Sequence, residues 1–395
     1  MGMRILFVLA PLGGGHTSAV RALNEACQEL AGAQIEVRVL NVFSKLCSRF
    51  PLTAIPWLYR LFTVDFPFLW RTLYRITGSA GRFAVAERLA QPLLQPGLRR
   101  YLADWQPDIV ALAFPALGRS FSRALASVGS TASIVTVVTD LVTVHPAWIC
   151  AACTAYVVAT PEAADACAAA GIPREGIHCL GLPVPGEFLQ LCGEGRDKTG
   201  SYVGRDELRR SLGLDPGLFT LLLMGGGEGG GRLEDIVRAL AGSCQACQLV
   251  VIAGRNRALQ QRLAARRLAL PCTVLGYVDN IADWMRASDL LLTKAGGGTV
   301  MEAIHCGLPM ILTESFPQEA GTVHYLLEHG AARFVANGSE VVATVMELLN
   351  RPDRLEALRR NGEGLRRKHA ARDIAALILK VAGHTISTAD HAGGE

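Results

Sequence analysis

The sequence predicts an α/β protein with two doubly wound domains in tandem, each built on a parallel sheet covered by helices on both faces. Two apolar runs, 4–10 and 218–224, each lead into a run of glycines and then into a helical pattern. That order is typical of the first strand, turn and helix of a nucleotide-binding α/β domain. In both halves, short continuous apolar runs then alternate with helical stretches, as buried parallel strands do.

The predicted elements follow one another in the same way in both halves. The predicted strands are 4–10, 35–42, 108–114, 133–140, 155–160, 218–224, 247–254, 272–278, 289–296 and 308–314. The polar, glycine-bearing segment 193–205 separates the halves, so we predict an N-terminal domain at 1–195 and a C-terminal domain at 206–350. A helical pattern at 351–383 is predicted to pack back on these domains, and the polar tail at 384–395 to be disordered.

Composition narrows the class of protein. A net charge of +4 over 395 residues gives no reason to expect nucleic acid as a partner. No apolar run approaches the roughly 20 residues that a membrane-spanning helix needs, and the first apolar run lacks the cleavage site of a leader. The CxxC pairs Cys150–Cys153 and Cys244–Cys247 lie too far apart for a zinc ribbon, so we expect reduced thiols and no metal.

The segment 46–83, called here the aromatic-basic segment, has an unusual composition. Six basic residues and one acid, Asp65, lie between positions 45 and 82. Aromatic side chains beside arginines, without a spanning run, indicate peripheral binding to an anionic membrane, which we place at the cytoplasmic face of the cell membrane. The alternative is a helical hairpin buried on the core with solvated arginines. The residues predicted to meet the membrane are Trp57, Arg60, Phe62, Phe66, Trp70 and Arg71.

The strongest candidate for a phosphate site follows the predicted strand at 289–296. The glycines there are Gly296, Gly297 and Gly298. Thr299 is predicted to cap the next helix, whose exposed backbone N–H groups and positive dipole end would bind a diphosphate. Glu302 lies one turn further and can accept hydrogen bonds from two ribose hydroxyls.

Two other polar features come after predicted strands of the second half. Gln318 and Glu319 are predicted either to bind sugar hydroxyls or to be solvated loop residues. Glu228, in the run GGGEGGG, either positions that loop over a bound ligand or is a solvated turn residue. The glycines of this loop predicted to meet that ligand are Gly225, Gly226 and Gly227.

The first half offers a second set of candidates. Asp140 stands at the end of a predicted strand, and the loop after it contains His145. His145 is either a functional group or a loop histidine with its hydrogen bonds satisfied. His16 ends the first glycine turn, where the N-terminal domain would face the other domain across a cleft.

The motifs, in their order, resemble those of the monogalactosyldiacylglycerol synthases, a branch of glycosyltransferase family 28. They are GGGH at 13–16, TDLVTVHPAW at 139–148, MGGGEGGG at 224–231, GYVDN at 276–280, TKAGGGTVMEA at 293–303 and PQEAGTV at 317–323. The resemblance runs from Arg4 to about Leu349. It implies a GT-B fold, in which two Rossmann-like domains face each other across a cleft and the C-terminal one carries most of the UDP-sugar.

The resemblance also implies roles for individual residues. Gly296 to Thr299 would hold the diphosphate, Glu302 the ribose, and the backbone near Val278 the uracil. Gln318 and Glu319 would contact the donor sugar. The loop containing Pro146 and Trp148 would contact the acceptor and its lipid.

We therefore predict an inverting transferase that moves a hexose from UDP to the sn-3 hydroxyl of 1,2-diacylglycerol, with galactose favoured and glucose as the alternative. His16 is the first choice for the base, and Gly14 and Gly15 would let the acceptor approach the backbone. Asp140 would orient His16 or act in its place, and His145 comes next. The departing UDP would be stabilised by backbone N–H groups, so no metal or cofactor is expected.

Two other functions fit parts of the sequence. One is a UDP-GlcNAc transferase acting on a polyprenyl-linked or other lipid, against which the HP-x-W and GGGEGGG elements weigh. The other is an NAD-dependent dehydrogenase, which is disfavoured because the first glycine run lacks the spacing GxGxxG and no acid ends the second strand.

Overall fold

The computed structural model describes residues 2–10, 14–45, 54–189, 195–196, 202–230, 232–243 and 246–383. Gly13, Gly231, Cys244, the predicted tail at 384–395 and most of the segment 193–205 lie outside these residues, as does the side chain of Arg60.

The N-terminal half contains a six-stranded parallel sheet in the order β2-β1-β3-β4-β5-β6. Its strands are β1 (Met3–Leu9), β2 (Ile35–Asn41), β3 (Ile109–Leu112), β4 (Ser133–Val137), β5 (Ala155–Val158) and β6 (Ile177–Cys179). Its helices are α1 (Gly15–Ala31), α2 (Val42–Lys45), α3 (Ile55–Arg60), α4 (Pro67–Thr77), α5 (Ala80–Trp105), α6 (Gly118–Ser127) and α7 (Pro161–Ala169). A π-helical turn at Leu61–Asp65 joins α3 to α4.

A short antiparallel pair, β7 (Gly195–Arg196) and β8 (Tyr202–Val203), precedes a second parallel sheet in the order β11-β10-β9-β12-β13-β14. Its strands are β9 (Phe219–Met224), β10 (Cys247–Ile252), β11 (Cys272–Leu275), β12 (Leu290–Lys294), β13 (Met310–Glu314) and β14 (Ala332–Phe334). The helices of this half are α8 (Arg205–Ser211), α9 (Leu233–Ala241), α10 (Arg257–Ala264), α11 (Ile281–Ala287), α12 (Gly297–His305), α13 (Ala320–Glu328), α14 (Gly338–Asn350), α15 (Pro352–Glu363) and α16 (Ala370–Val381).

Both sheets are doubly wound. In each, the first strand lies inside the sheet, and the strand order reverses beside it, between β1 and β3 and between β9 and β12. Ligands of such sheets bind at the carboxyl ends of the strands near this reversal. The prediction of two doubly wound α/β domains is confirmed, and a strand covers the centre of every predicted run. Only the short strands β6 and β14 and the β7-β8 pair were not predicted.

The last helix returns to the first sheet. Ile374 and Ile378 of α16 are fully buried against Ile5, Phe7 and Leu23 of the N-terminal core. Burying such a side chain stabilises the fold by about 1.5–3 kcal/mol. The last helix is therefore held on the N-terminal half, although it follows the C-terminal sheet in the chain.

Candidate functional site

The two glycine-rich segments meet where the halves face each other. A Cβ atom built on Gly298, in the first turn of α12, would lie 2.9 Å from the Cα of Gly15, the first residue of α1. One built on Gly297 would lie 3.3 Å from the carbonyl oxygen of Thr139. Side chains at these positions would separate the two helix starts, so the glycines permit a close approach across the cleft.

The start of α12 differs from the prediction in one respect. The helix begins at Gly297 with Gly296 as N-cap, and no side chain accepts a hydrogen bond from its first N–H groups. Thr299 lies within the first turn, so the prediction that it caps the helix is wrong. A glycine cap leaves the first backbone N–H groups available to an anion, which preserves the chemistry expected of Gly296 to Thr299.

Glu302 of α12 already has a partner from the opposite half. Ser18 Oγ of α1 donates a hydrogen bond of 2.7 Å to Glu302 Oε1. Burial raises the pKa of Glu302, while the Ser18 hydrogen bond and the charge of Arg21 oppose that rise. The carboxylate predicted to bind ribose therefore points into the cleft between α1 and α12.

Gln318 and Glu319 form a 3₁₀ turn after β13 and are not solvated loop residues. Glu319 is buried and accepts hydrogen bonds from Lys294 Nζ at 2.6 Å and from the backbone N–H of Phe316 at 2.9 Å. Gln318 Oε1 accepts a hydrogen bond of 3.0 Å from the indole of Trp70. Both side chains are thus held by partners at the carboxyl end of the second sheet.

Lys294 was not among the predicted site residues. Its ammonium group would lie 3.0 Å from a Cβ atom on Gly296, and its Cε 3.1 Å from one on Gly226, so both glycine loops surround it. The charges of Glu319 and Glu314 raise its pKa although burial opposes this, which keeps the group cationic. The sequence does contain a signal for Lys294, because this residue stands near the end of a predicted strand and two residues before a run of glycines.

The GGGEGGG loop folds back on itself and on the turn after β10. A Cβ atom on Gly225 would lie 1.8 Å from the carbonyl oxygen of Gly230, so a side chain there has no room. Glu228 forms an ion pair with Arg255 at 3.1 Å and therefore positions the loop. A Cβ atom on Gly227 would lie 3.7 Å from the backbone nitrogen of Gly14, which brings this loop against the first glycine turn.

The loop after β11 contains the residue predicted to be near uracil. Val278 is half-buried and packs at the edge of the C-terminal core. Beside it, exposed Tyr277 stacks under the guanidinium of Arg255, whose carbon lies 4.8 Å from the ring centroid. The Arg255 side chain thus links this loop to Glu228.

His16 lies in the first turn of α1, at the centre of the cleft. Its Nδ1 lies 2.8 Å from Thr139 Oγ1, and its ring packs edge-on against Phe114 with centroids 5.2 Å apart. Burial lowers the pKa of His16 to about 4, although a hydrogen bond with the backbone of Ala113 opposes this. The imidazole is therefore neutral at pH 7 and carries a lone pair.

Asp140 does not share the contact with His16. Its Oδ2 accepts a hydrogen bond of 2.7 Å from the indole of Trp148, and burial raises its pKa to about 6. Of the two roles that the sequence left open for Asp140, orienting His16 falls instead to the neighbouring Thr139, which sequence reasoning missed. Trp148 lies beside both Asp140 and His16: its indole donates to Asp140, and its ring centroid lies 6.3 Å from that of His16.

The loop from His145 to Trp148 differs from its predicted role. Trp148 is only 2% exposed, so the prediction that it contacts acceptor lipid is wrong, because its ring fills the core beside Asp140. His145 Nδ1 accepts a hydrogen bond of 3.1 Å from the N–H of Ala147, and its ring packs at a tilt of 49° against Tyr74, with ring centroids 4.7 Å apart. Burial lowers its pKa. His145 fits the alternative of a satisfied loop histidine, and Pro146 starts the 3₁₀ turn it caps.

The described part of the aromatic-basic segment is a surface and not a buried hairpin. Phe68 is 61% exposed, and the alternative of burial on the core is wrong for this face. Among its exposed residues are the large apolar side chains and arginines Trp57, Phe66, Phe68, Leu69, Arg71, Leu73, Arg75 and Ile76. Phe62 and Trp70 are half-buried, and Trp70 points towards Gln318.

Across the described ranges, none of the helices combines the length and the apolarity that crossing a bilayer requires. Within the same part of the chain, no three His, Cys, Asp or Glu side chains lie close enough to hold a metal ion together.

Comparisons with known proteins define the class first. Residues 220–376 match the glycosyltransferase family 28 C-terminal domain. The fold is that of MurG of Acinetobacter baumannii (TM-score 0.59, 15% identity, covering 96% of this chain and 99% of that one). It is also that of a putative UDP-N-acetylglucosamine 2-epimerase of Listeria monocytogenes (TM-score 0.64, 13% identity, 98% of both chains). These structures establish the GT-B type of fold.

The family is then shown by sequence. Residues 16–184 match the family described as monogalactosyldiacylglycerol synthase. The chain is 33% identical to the spinach monogalactosyldiacylglycerol synthase over 87% of its own length and 66% of the relative's. It is 31% identical to the probable enzyme of Nicotiana tabacum over 93% and 68%. The chain belongs to the monogalactosyldiacylglycerol synthase family, and it spans about two thirds of the length of these relatives.

Proposed function

We propose that the chain is an inverting glycosyltransferase that moves a hexose from UDP to the sn-3 hydroxyl of 1,2-diacylglycerol, giving a β-monoglycosyldiacylglycerol. The observation that carries this proposal is the contact of Gly298 with Gly15, which puts a helix start suited to a diphosphate next to His16. Galactose is favoured by the names of the relatives, with glucose as the alternative.

The donor would lie along the carboxyl ends of β12 and β13. Backbone N–H groups at the start of α12 and the Lys294 ammonium supply positive charge for the diphosphate. Glu302 would exchange its Ser18 hydrogen bond for ribose hydroxyls, and Gln318 and Glu319 would bind the hexose. The backbone near Val278 would hold the uracil, and Gly225 to Gly227 would cover the donor from the other side.

In the reaction, the acceptor oxygen forms a bond to the anomeric carbon while the bond from that carbon to UDP breaks. The proton of the acceptor hydroxyl passes to neutral His16, with Asp140 as the alternative base. The electron pair leaves with UDP, whose growing charge meets the α12 dipole and Lys294. These groups supply the stabilisation that a divalent cation provides elsewhere, so we propose a reaction without metal or cofactor.

The acceptor is a lipid, and the exposed face of α4 supports binding at an anionic bilayer. Phe68, Leu69 and Leu73 would enter the interface while Arg71 and Arg75 meet lipid phosphates. We therefore propose a peripheral protein of the cytoplasmic face of the cell membrane.

The test is to give the purified chain labelled UDP-galactose, UDP-glucose or UDP-GlcNAc with diacylglycerol vesicles, with and without EDTA, and to separate the lipid products. We expect a β-galactosyl lipid, formed equally well with the chelator. Transfer of GlcNAc alone, or only to a polyprenyl lipid, would replace this function by the alternative one.

A further inference from the structure

Helix α4 has two faces with different surroundings. One face is exposed and apolar, with Phe68, Leu73 and Ile76 open to solvent. The other carries Trp70 and packs against the 3₁₀ turn Pro317–Glu319 of the opposite half. The helix that would meet the membrane thus also touches the turn that would bind the donor sugar.

The contact between Trp70 and Gln318 fixes the direction of the glutamine amide. An indole N–H can only donate, so the atom of Gln318 that it meets at 3.0 Å must be the amide oxygen. The amide NH₂ group is therefore turned away from α4 and is left to donate to an acceptor such as a sugar hydroxyl. Without Trp70, the amide can rotate and present oxygen or nitrogen with similar ease.

A second aromatic residue braces this contact. Tyr59 of α3 packs edge-on against Trp70, with ring centroids 5.3 Å apart. Burial raises the pKa of Tyr59, and the nearby Lys294 charge opposes that rise, which places the phenol in the electrostatic surroundings of the Lys294–Glu319 pair. Helices α3 and α4 therefore lie against two polar contacts at the carboxyl end of the second sheet, that of Lys294 with Glu319 and that of Trp70 with Gln318.

We propose that α4 couples membrane docking to recognition of the donor sugar, with Trp70 as the positioning residue that orients Gln318. This inference rests on the proposed function. Docking through the exposed face holds α4 against the turn 317–319, and the indole then keeps the Gln318 amide directed at the hexose. Recognition of the hexose, but not of the UDP part, depends on the contact.

The variant Trp70→Phe keeps the ring and removes the N–H donor. We expect KM for UDP-galactose to rise about threefold to tenfold, the range of one neutral hydrogen bond, while the inhibition constant of UDP stays unchanged. Trp105→Phe is the matched control, because the Trp105 indole also donates to a side chain, Glu36 Oε1 at 3.2 Å, on the first sheet's outer side. Thermal melting of both variants checks the fold.

Coupling is tested by binding measurements with and without vesicles of phosphatidylcholine and phosphatidylserine. For the unchanged chain, we expect vesicles to tighten UDP-galactose binding about fivefold or more and to leave UDP binding alone. In Trp70→Phe the vesicle effect should vanish although the protein still sediments with the vesicles. A vesicle effect of the same size in Trp70→Phe, or weakened UDP binding equal to the loss for UDP-galactose, would overturn the inference.

The double variant Trp70→Phe with Gln318→Ala separates this inference from the proposed function. We expect Gln318→Ala alone to weaken UDP-galactose binding and the second substitution to add nothing. Additive losses would refute the Trp70 role while leaving the transferase intact. If the unchanged chain bound no UDP-hexose at all, the proposed function itself would fail.

Discussion

Lys294 and Glu319 form an ion pair of 2.6 Å at the carboxyl end of the second sheet, and the Glu319 side chain is only 8% exposed. The pair joins the end of β12 to the turn after β13, and the Lys294 ammonium also lies 5.3 Å from the centre of the Phe316 ring. Because two glycine loops surround the cation, a bound diphosphate would compete with Glu319 for it.

The variant Lys294→Met is therefore expected to weaken UDP binding about 10- to 100-fold, the effect of losing a charge-assisted hydrogen bond. Titration calorimetry with UDP measures it. Arg262→Met is the matched control: it removes a cation of the same half, on α10, that pairs with Glu234 of α9 away from the α12 start. An equal loss in both variants would argue against a specific Lys294–diphosphate contact.

The pH profile identifies the base. A base must be deprotonated, so kcat/KM should stay level from neutral pH down to the lowered His16 pKa of about 4 and fall about tenfold per pH unit below it. His16→Ala should lower kcat by about 10²–10⁴-fold with UDP binding retained. An acidic limb near pH 6 that disappears in Asp140→Asn would instead assign the base to Asp140, whose pKa is about 6.

The close approach of α1 and α12 is tested by Gly298→Ala. The new methyl group would lie 2.9 Å from the Cα of Gly15, so the two helix starts must move apart. We expect kcat/KM to fall about 10- to 100-fold, because the α12 start would move away from His16. A misplacement of about 1 Å between groups that act together can cost up to about 100-fold in rate. Gly338→Ala, which meets no atom within 4 Å, should keep full activity. Wild-type activity in Gly298→Ala would show that the contact is unimportant.

The stability of the second half depends on Asp289. Its carboxylate pairs with Arg205 at 2.6 Å and with buried Arg209 at 2.5 Å. Asp289→Asn should lower the free energy of unfolding by about 3–5 kcal/mol, because it leaves the buried Arg209 cation without its counter-ion. Urea denaturation measures this. The control Asp353→Asn breaks an exposed pair with Arg351 and should leave the free energy of unfolding almost unchanged, because solvent screens such pairs.

The membrane surface is tested by Phe68→Glu with Leu73→Glu. Two acids on the exposed face of α4 would lose apolar burial and repel anionic lipid, so sedimentation with phosphatidylserine vesicles should be abolished. Leu327→Glu is the control, since Leu327 is 43% exposed, much like Leu73 at 42%, but lies on α13. UDP binding in solution should persist in both proteins. Unchanged sedimentation of the double variant would contradict the membrane role of α4.

The sequence by itself determined the two doubly wound domains, because apolar runs and glycine turns are local patterns that report strands and helix starts directly. It also singled out His16, Glu302, Gln318 and Glu319 as candidates, since strand ends and glycine runs mark where parallel sheets bind ligands. The order of the motifs along the chain added the resemblance to a known family. The composition of 46–83 likewise identified an unusual surface before any contact was known.

Only the tertiary structure decided which side chains meet. The contacts of Ser18 with Glu302, Thr139 with His16 and Trp70 with Gln318 join residues 284, 123 and 248 positions apart. No local pattern encodes such pairs. The contacts of Ser18 and Trp70 depend on how one half packs on the other, and that of Thr139 depends on how the first sheet brings the ends of β1 and β4 together. The same limit explains Trp148: the family resemblance implied a lipid contact, but the burial of its ring follows from the fold of the loop over β5.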